Sequence, residues 1–313
     1  MSRETIASIR RNIEKVIVGK SEVIDLILTA LLSEGHVLLD DVPGTGKTVL
    51  AKSLARSIQA AFSRIQFTPD LLPSDVTGMN YFDQKESRFV LRRGPAFCNL
   101  LLADEINRAT PRTQSSLLEC MEERQITIDG ETLPLARPFF VIATQNPVET
   151  AGTYPLPEAQ LDRFLMQLSM GTPTPEEELA IMNRFLTDAP LERLEPVCSL
   201  EELRQLQGAY QEVYIHPELM EYMVKIVQLT RTSPEIVSGV SPRGTLALLR
   251  AVRAYAFVKG RDYVTPEDIK ALSGPVLAHR LVCPRGALGR ESGLRIVEKI
   301  VNQVPVPTEN WGR

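Results

Sequence analysis

Hydrophobic positions open the chain at helical spacing. Ile6, Ile9 and Ile13 fall on one face with charges between them, which predicts an amphipathic helix over 3–15. The apolar run Val16-Ile17-Val18 ends at Gly19-Lys20, and a second helical pattern runs from Glu22 to Leu32. The apolar runs then shorten. His36-Val37-Leu38-Leu39 predicts a strand that enters the turn Asp40-Asp41-Val42-Pro43-Gly44-Thr45-Gly46-Lys47-Thr48, and the turn opens onto a helical pattern from Val49 to Ala55. Apolar and polar residues alternate over 62–67, which predicts another strand, and 70–78 carries a short helix with turn signals. Tyr81-Phe82 and Phe89-Val90-Leu91 flank a polar turn as in a hairpin. The continuous apolar run of 99–105 suits a parallel strand buried on both faces. A helix over 114–123 leads to a second hairpin, 125–128 and 131–135 around Asp129-Gly130, and then to a strand over 139–143.

Strand signals fade beyond Gly171-Thr172-Pro173-Thr174-Pro175, which is read as a linker between two domains, 1–172 and 173–313. Helical patterns follow at 176–187, 200–210, 217–231, 242–259, 266–277 and 293–303, and Gly286 to Gly293 is read as loose. The fold class is therefore α/β, a parallel sheet flanked by helices, followed by an all-α domain. Thr265 is the expected N-cap of the helix at 266, with Pro266 at its first position and Glu267 and Asp268 in its first turn. Ser241 and Pro242 start the helix at 242 in the same way. Arg243, however, then places a cation where the helix dipole disfavours one. A bound phosphate would resolve that conflict; so would an acidic side chain or simple solvation of the arginine.

Strand, Gly-rich turn and helix over 36–55 form a phosphate loop. Gly44 and Gly46 let backbone N–H groups point inward, the helix start adds a positive dipole, Lys47 can reach the β- and γ-phosphates, and the Thr48 hydroxyl can bind Mg²⁺. Asp41 departs from the general pattern, which has glycine at that position. Asp104 and Glu105 end a buried strand, where ligands of parallel sheets bind. There Asp104 can hold Mg²⁺ and Glu105 can polarise an attacking water. Asn146 ends the next strand and can orient that water, although Asn-Pro is also a common turn. The bend at Val18-Gly19 can hold a purine base by backbone contact or merely join two helices. Arg163 reads either as a solvated helix-end arginine or as a transition-state arginine supplied to a neighbouring subunit, and its local sequence favours the first.

Composition narrows this little. The 313 residues carry a formal charge of −4, so no sequence-wide attraction to nucleic acid is indicated. Cys98, Cys120, Cys198 and Cys283 are widely spaced, as reduced packed thiols are. No signal segment and no apolar run of membrane-spanning length is recognised, so a cytoplasmic protein without membrane insertion is expected.

Three motifs and a longer stretch together resemble the MoxR family of AAA+ ATPases. They are Asp41-Val42-Pro43-Gly44-Thr45-Gly46-Lys47-Thr48, Leu102-Ala103-Asp104-Glu105-Ile106-Asn107-Arg108-Ala109, Ile142-Ala143-Thr144-Gln145-Asn146-Pro147 and Tyr154 to Phe164. The similarity covers nearly the whole chain and implies an AAA+ P-loop core with an all-α lid. It makes Asp41 a family mark. It implies that Pro43, Gly44, Thr45, Gly46, Lys47, Thr48 and Val49 bind ATP with Val18 and Gly19, and that Thr48 and Asp104 hold Mg²⁺. Lys47, Glu105 and Asn146 would be catalytic, Arg163 an arginine finger in trans and Arg243 a second sensor, in cis or in trans. Arg108 and Arg112 lie near the same expected subunit interface. The resemblance further implies two inserted hairpins, about 79–94 within helix 2 and about 125–135 before the first sensor strand. It implies a homo-oligomer, a hexameric ring, that works with a von Willebrand factor A domain partner on client protein complexes, in maturation or metal insertion. An ATP-gated switch with little turnover and a nucleic-acid motor are the alternatives. For the motor, Arg88, Arg92 and Arg93 give the first hairpin a basic side that Asp83 and Glu86 dilute.

Overall fold

The structure, a computed structural model, describes residues 2–147, 152–187, 189–284 and 290–307. Helices α1 (Ser2–Glu14) and α2 (Ser21–Leu32) precede β1 (Val37–Asp40), α3 (Lys47–Ser57) and β2 (Phe62–Gln66). A short α4 (Pro73–Thr77) leads into the hairpin β3 (Gly78–Asp83) and β4 (Arg88–Arg93), then β5 (Leu100–Asp104) and α5 (Pro111–Glu123). The second hairpin is β6 (Gln125–Ile128) and β7 (Glu131–Pro134), followed by β8 (Phe140–Gln145), α6 (Glu158–Leu161) and β9 (Met166–Leu168). Among the described residues helices follow without further strands: α7 (Pro175–Thr187), α8 (Leu200–Ala209), α9 (Pro217–Thr232), α10 (Pro242–Val258), α11 (Pro266–Leu277) and α12 (Arg290–Gln303).

Five parallel strands form the main sheet in the order β2-β5-β8-β1-β9, and each hairpin stands apart as its own two-stranded ribbon. The continuous apolar runs of β1, β5 and β8 have a simple cause: both faces of the sheet are covered. Val37, Leu39, Leu100, Leu102, Phe140 and Ile142 face α2 and α3 in a core that continues into α10 and α11. Leu38, Leu101, Ala103, Val141 and Ala143 face the other way, onto Leu117, Leu118 and Met121 of α5. Each fully buried leucine of these strands contributes about 2–3 kcal/mol of transfer free energy. The sheet thereby becomes a rigid base for the loops at its ends.

Three features differ from the sequence reading. β9 was not anticipated, because Met166-Gln167-Leu168 is too short to show a period; it is a strand because it pairs in parallel with β1. Helix α5 begins at Pro111 rather than 114, with Thr110 preceding it in an extended conformation. Of the stretch read as loose, residues 286–289 lie outside the described residues, and from Arg290 the chain is helical. The start of α11 is as expected, with the Asp268 carboxylate accepting the Thr265 N–H at 2.8 Å. Residues 169–174 join β9 to α7, yet the apolar core is continuous from α1 to α12.

His36 ties three of these elements together at the start of β1. Its Nδ1 accepts the Val141 N–H at 3.1 Å and its Nε2 lies 3.1 Å from the Met121 carbonyl oxygen, so the neutral ring with a proton on Nε2 satisfies both. Burial lowers its pKa from 6.5 to about 4. An unfolded chain therefore takes up a proton near pH 6.5 that the folded chain refuses until about pH 4. The stability that depends on neutral His36 is complete above the first value and lost as pH falls towards the second, by up to about 3 kcal/mol. Urea denaturation across this range should show that decline, and His36→Gln should flatten it. An equal slope in both proteins would refute the assignment.

Candidate active site

The phosphate loop leaves β1 with Gly44 and Gly46 in left-handed backbone, at φ 89° and 88°. A side chain is strained in that conformation, and glycine is not. A Cβ placed on Gly44 would meet nothing within 4 Å, so the loop borders open space rather than packed protein. Helix α3 starts at Lys47 without a side-chain cap, which leaves the N–H groups of its first turn for a ligand. Lys47 Nζ donates to the carbonyl oxygens of Asp41 (2.8 Å) and Val42 (3.1 Å). Asp41, the departure from the general pattern, is a buried anchor. Its carboxylate accepts the N–H groups of Met170 (2.7 Å) and Gly171 (3.2 Å) and the Ser169 hydroxyl, and so straps the exit of β9 to the loop.

Because β1, β8 and β5 are neighbours, their carboxyl ends converge. A cavity of about 430 Å³ lies there, lined by Pro43, Gly44, Gly46, Lys47, Thr48 and Val49 of the loop and by Asp104, Glu105, Thr144 and Asn146. Glu105 holds φ 56° and ψ 50°, an unusual conformation for a residue with a side chain. Thr144 of β8 supports both acids: its hydroxyl donates to Asp104 Oδ1 at 2.6 Å and accepts the Glu105 N–H at 2.9 Å. From β2, Gln66 donates to Glu105 Oε2 at 2.6 Å, and Arg64 Nη2 donates to Asp104 Oδ2 at 2.7 Å. Arg108 Nε lies 3.0 Å from the same Glu105 oxygen, an ion pair within the chain.

The donor set fits a magnesium ion that arrives with a nucleotide. Thr48 and Asp104 offer hard oxygens, and no cluster of three His, Cys, Asp or Glu side chains that could hold a metal exists among the described residues. Thr45 belongs to the loop without lining the cavity, and its hydroxyl turns back to the Val42 carbonyl oxygen at 3.5 Å. Val18 and Gly19 are also outside the lining. The Glu177 side chain of α7 occupies the space beside Gly19, and Lys20 pairs with Glu177 at 3.3 Å.

Arg163 and Arg243 lie together on another surface. Arg163 Nε is 3.2 Å from Glu122 Oε2, and Arg243 Nη2 is 2.8 Å from Glu122 Oε1. The anion that the start of α10 calls for is thus Glu122 of the same chain. Around them is a second cavity of about 140 Å³, lined also by Arg124, Asp162, Arg250 and Arg280. Sequence reasoning missed Arg64, Gln66, Thr144 and Glu122. For Arg64 and Gln66 a signal existed, since the alternation over 62–67 puts them on one face of the strand that neighbours the acidic one.

A family model described as "ATPase family associated with various cellular activities (AAA)" matches residues 36–166, and an AAA lid domain matches 228–300. The crystal structure of a candidate ATPase from Cytophaga hutchinsonii is similar at a TM-score of 0.90 and 38% identity, covering 98% of this chain and 96% of that one. Phosphate loop, paired acids and helical lid define an AAA ATPase, an ATP hydrolase. YeaC of Bacillus subtilis (strain 168) is 52% identical over 95% of this chain and 93% of its own length. Chaperone MoxR1 of Mycobacterium tuberculosis is 42% identical over 95% of this chain and 81% of its own length. The chain belongs to the MoxR family of AAA+ ATPases. Among the described residues no helix is long and apolar enough to cross a membrane.

Thr144→Val keeps the shape of the side chain but removes both hydrogen bonds to the acids. ATP turnover should fall about 10–100-fold, and Thr144→Ser should retain most of it. Turnover by Thr144→Val equal to the parent would show that the hydroxyl is not needed to hold the acids.

Proposed function

We propose that the chain acts as one subunit of a ring, in which each nucleotide site is completed by the next subunit. One observation carries this reading. The cavity gathers the phosphate loop, Asp104, Glu105 and Asn146, whereas Arg163 and Arg243 lie together elsewhere with only a carboxylate between them. Thr48 and Asp104 would hold Mg²⁺, which neutralises charge on the phosphates when bound. Lys47 then leaves its two carbonyl partners for the β- and γ-phosphates. Glu105, freed from Gln66 and Arg108, accepts a proton from the attacking water, and the Asn146 amide orients that water. Arg163 and Arg243 exchange Glu122 for the triphosphate of the adjacent subunit, and Val18 and Gly19 border the base.

The work done with this energy is chaperone-like remodelling of a client protein complex, as the name of the Mycobacterium tuberculosis relative suggests for that protein. A ring of six and a von Willebrand factor A domain partner, acting in maturation or metal insertion, complete the proposal. The β3–β4 hairpin suits client contact, because Met79, Tyr81, Phe82 and Phe89 are all exposed on it, Phe89 at 71%.

Glu105→Gln should bind ATP as the parent does and hydrolyse it at least about 100-fold more slowly. Hydrolysis at the parental rate would remove Glu105 from the mechanism. The trapped ring, used as bait, should retain a von Willebrand factor A domain protein in ATP and release it in ADP. Recovery of single-stranded nucleic acid instead would favour the motor alternative.

A further inference from the structure

Arg280 ends the short turn Ala278–Arg280 that follows α11 within the lid. Its guanidinium is buried, and each of its five N–H donors meets an acceptor. Nε donates to Asp162 Oδ1 at 2.6 Å. Nη2 donates to the carbonyl oxygens of Asp162 (3.3 Å) and Phe164 (2.7 Å), and Nη1 to those of Leu165 (3.2 Å) and Val276, with His279 Nε2 also 2.8 Å from Nη1. Three of these acceptors are backbone groups of residues 162, 164 and 165, immediately around Arg163. Burial pushes the Arg280 pKa down to about 10, with Asp162 opposing, so the group stays charged near neutral pH.

The same side chain touches the start of α10. A Cβ on Gly244 would stand 2.9 Å from Arg280 Cδ and 2.5 Å from Val240 Cγ1, so the bare glycine beside Arg243 makes room for Arg280 to pass. One buried guanidinium thus adjoins both surface arginines, Arg163 through its flanking carbonyls and Arg243 through its neighbour in sequence. Replacing a buried ion pair by well-packed apolar side chains is often neutral or stabilising. Stability alone therefore does not account for a lid arginine that donates to three backbone carbonyls and the one carboxylate of residues 162–165.

We propose that Arg280 is a positioning residue for ATP turnover: it fastens residues 162–165 to the lid, so that the placement of the lid sets where Arg163 points. The proposal rests on the reading that Arg163 serves the nucleotide of the adjacent subunit, and the test separates the two. Arg280→Lys keeps the charge but cannot satisfy five acceptors. Its maximal rate should fall at least about tenfold, while affinity for a fluorescent ATP analogue stays within about twofold. Part of the rate should return when it is mixed with Glu105→Gln, because every contact in which an Arg280→Lys chain supplies the site and a Glu105→Gln chain supplies the arginine pairs an intact Glu105 with a well-placed Arg163. Arg163→Ala mixed with Glu105→Gln is the control.

Gain of activity in both mixtures supports the proposal. Gain in the control alone overturns it and leaves the reading of Arg163 intact. Gain in neither overturns both. Should Arg280→Lys melt early by circular dichroism, Asp162→Asn replaces it in the same mixtures; this partly exposed partner loses only its charge, and the same three outcomes decide.

Discussion

The parallel pairing of β5, β8 and β1 is the constraint from which the site follows. Parallel strands point their carboxyl ends the same way, and burial on both faces leaves them no freedom to tilt. The phosphate loop, the acids and Asn146 therefore meet in one cavity although they stand at positions 43–49, 104–105 and 146 of the sequence. The Thr144 hydroxyl adds a cross-strand link from β8 to both acids. Glu105 keeps its left-handed backbone because that link and the sheet around it hold it there.

Two arrangements extend this rigid base. Asp41 fastens the exit of β9 to the phosphate loop, so the path into α7 and the lid begins beside the nucleotide cavity. Arg280 fastens the lid to the loop that carries Arg163. Between them the chain carries two separate surfaces, a cavity with the acids and a patch with the arginines. Within one chain Glu122 pairs with both Arg163 and Arg243.

Much of this was legible in the amino-acid order. The loop at 40–48, the acids at 104 and 105 and the amide at 146 each follow an apolar strand, so strand position and chemistry pointed the same way. The hairpins at 78–93 and 125–134 were also legible, from turns between alternating runs. What stayed hidden depends on contacts distant in sequence. β9 is a strand only through β1, and Asp41 is explained only by backbone N–H groups more than 120 residues away. The conflict seen at Arg243 was real, but its resolution by Glu122 joins positions 121 residues apart that no local pattern links. Arg280, between the helical patterns of 266–277 and 293–303, owes its character to the Asp162 carboxylate and the carbonyl groups that surround it.

The central claim is that one chain carries an incomplete site. It is tested most directly by the ATPase rate per chain, at saturating Mg²⁺ and ATP, over a dilution series followed in parallel by mass photometry. The rate per chain should rise steeply with concentration and track the fraction of chains in rings. A rate per chain that stays constant down to concentrations where only single chains remain would contradict it.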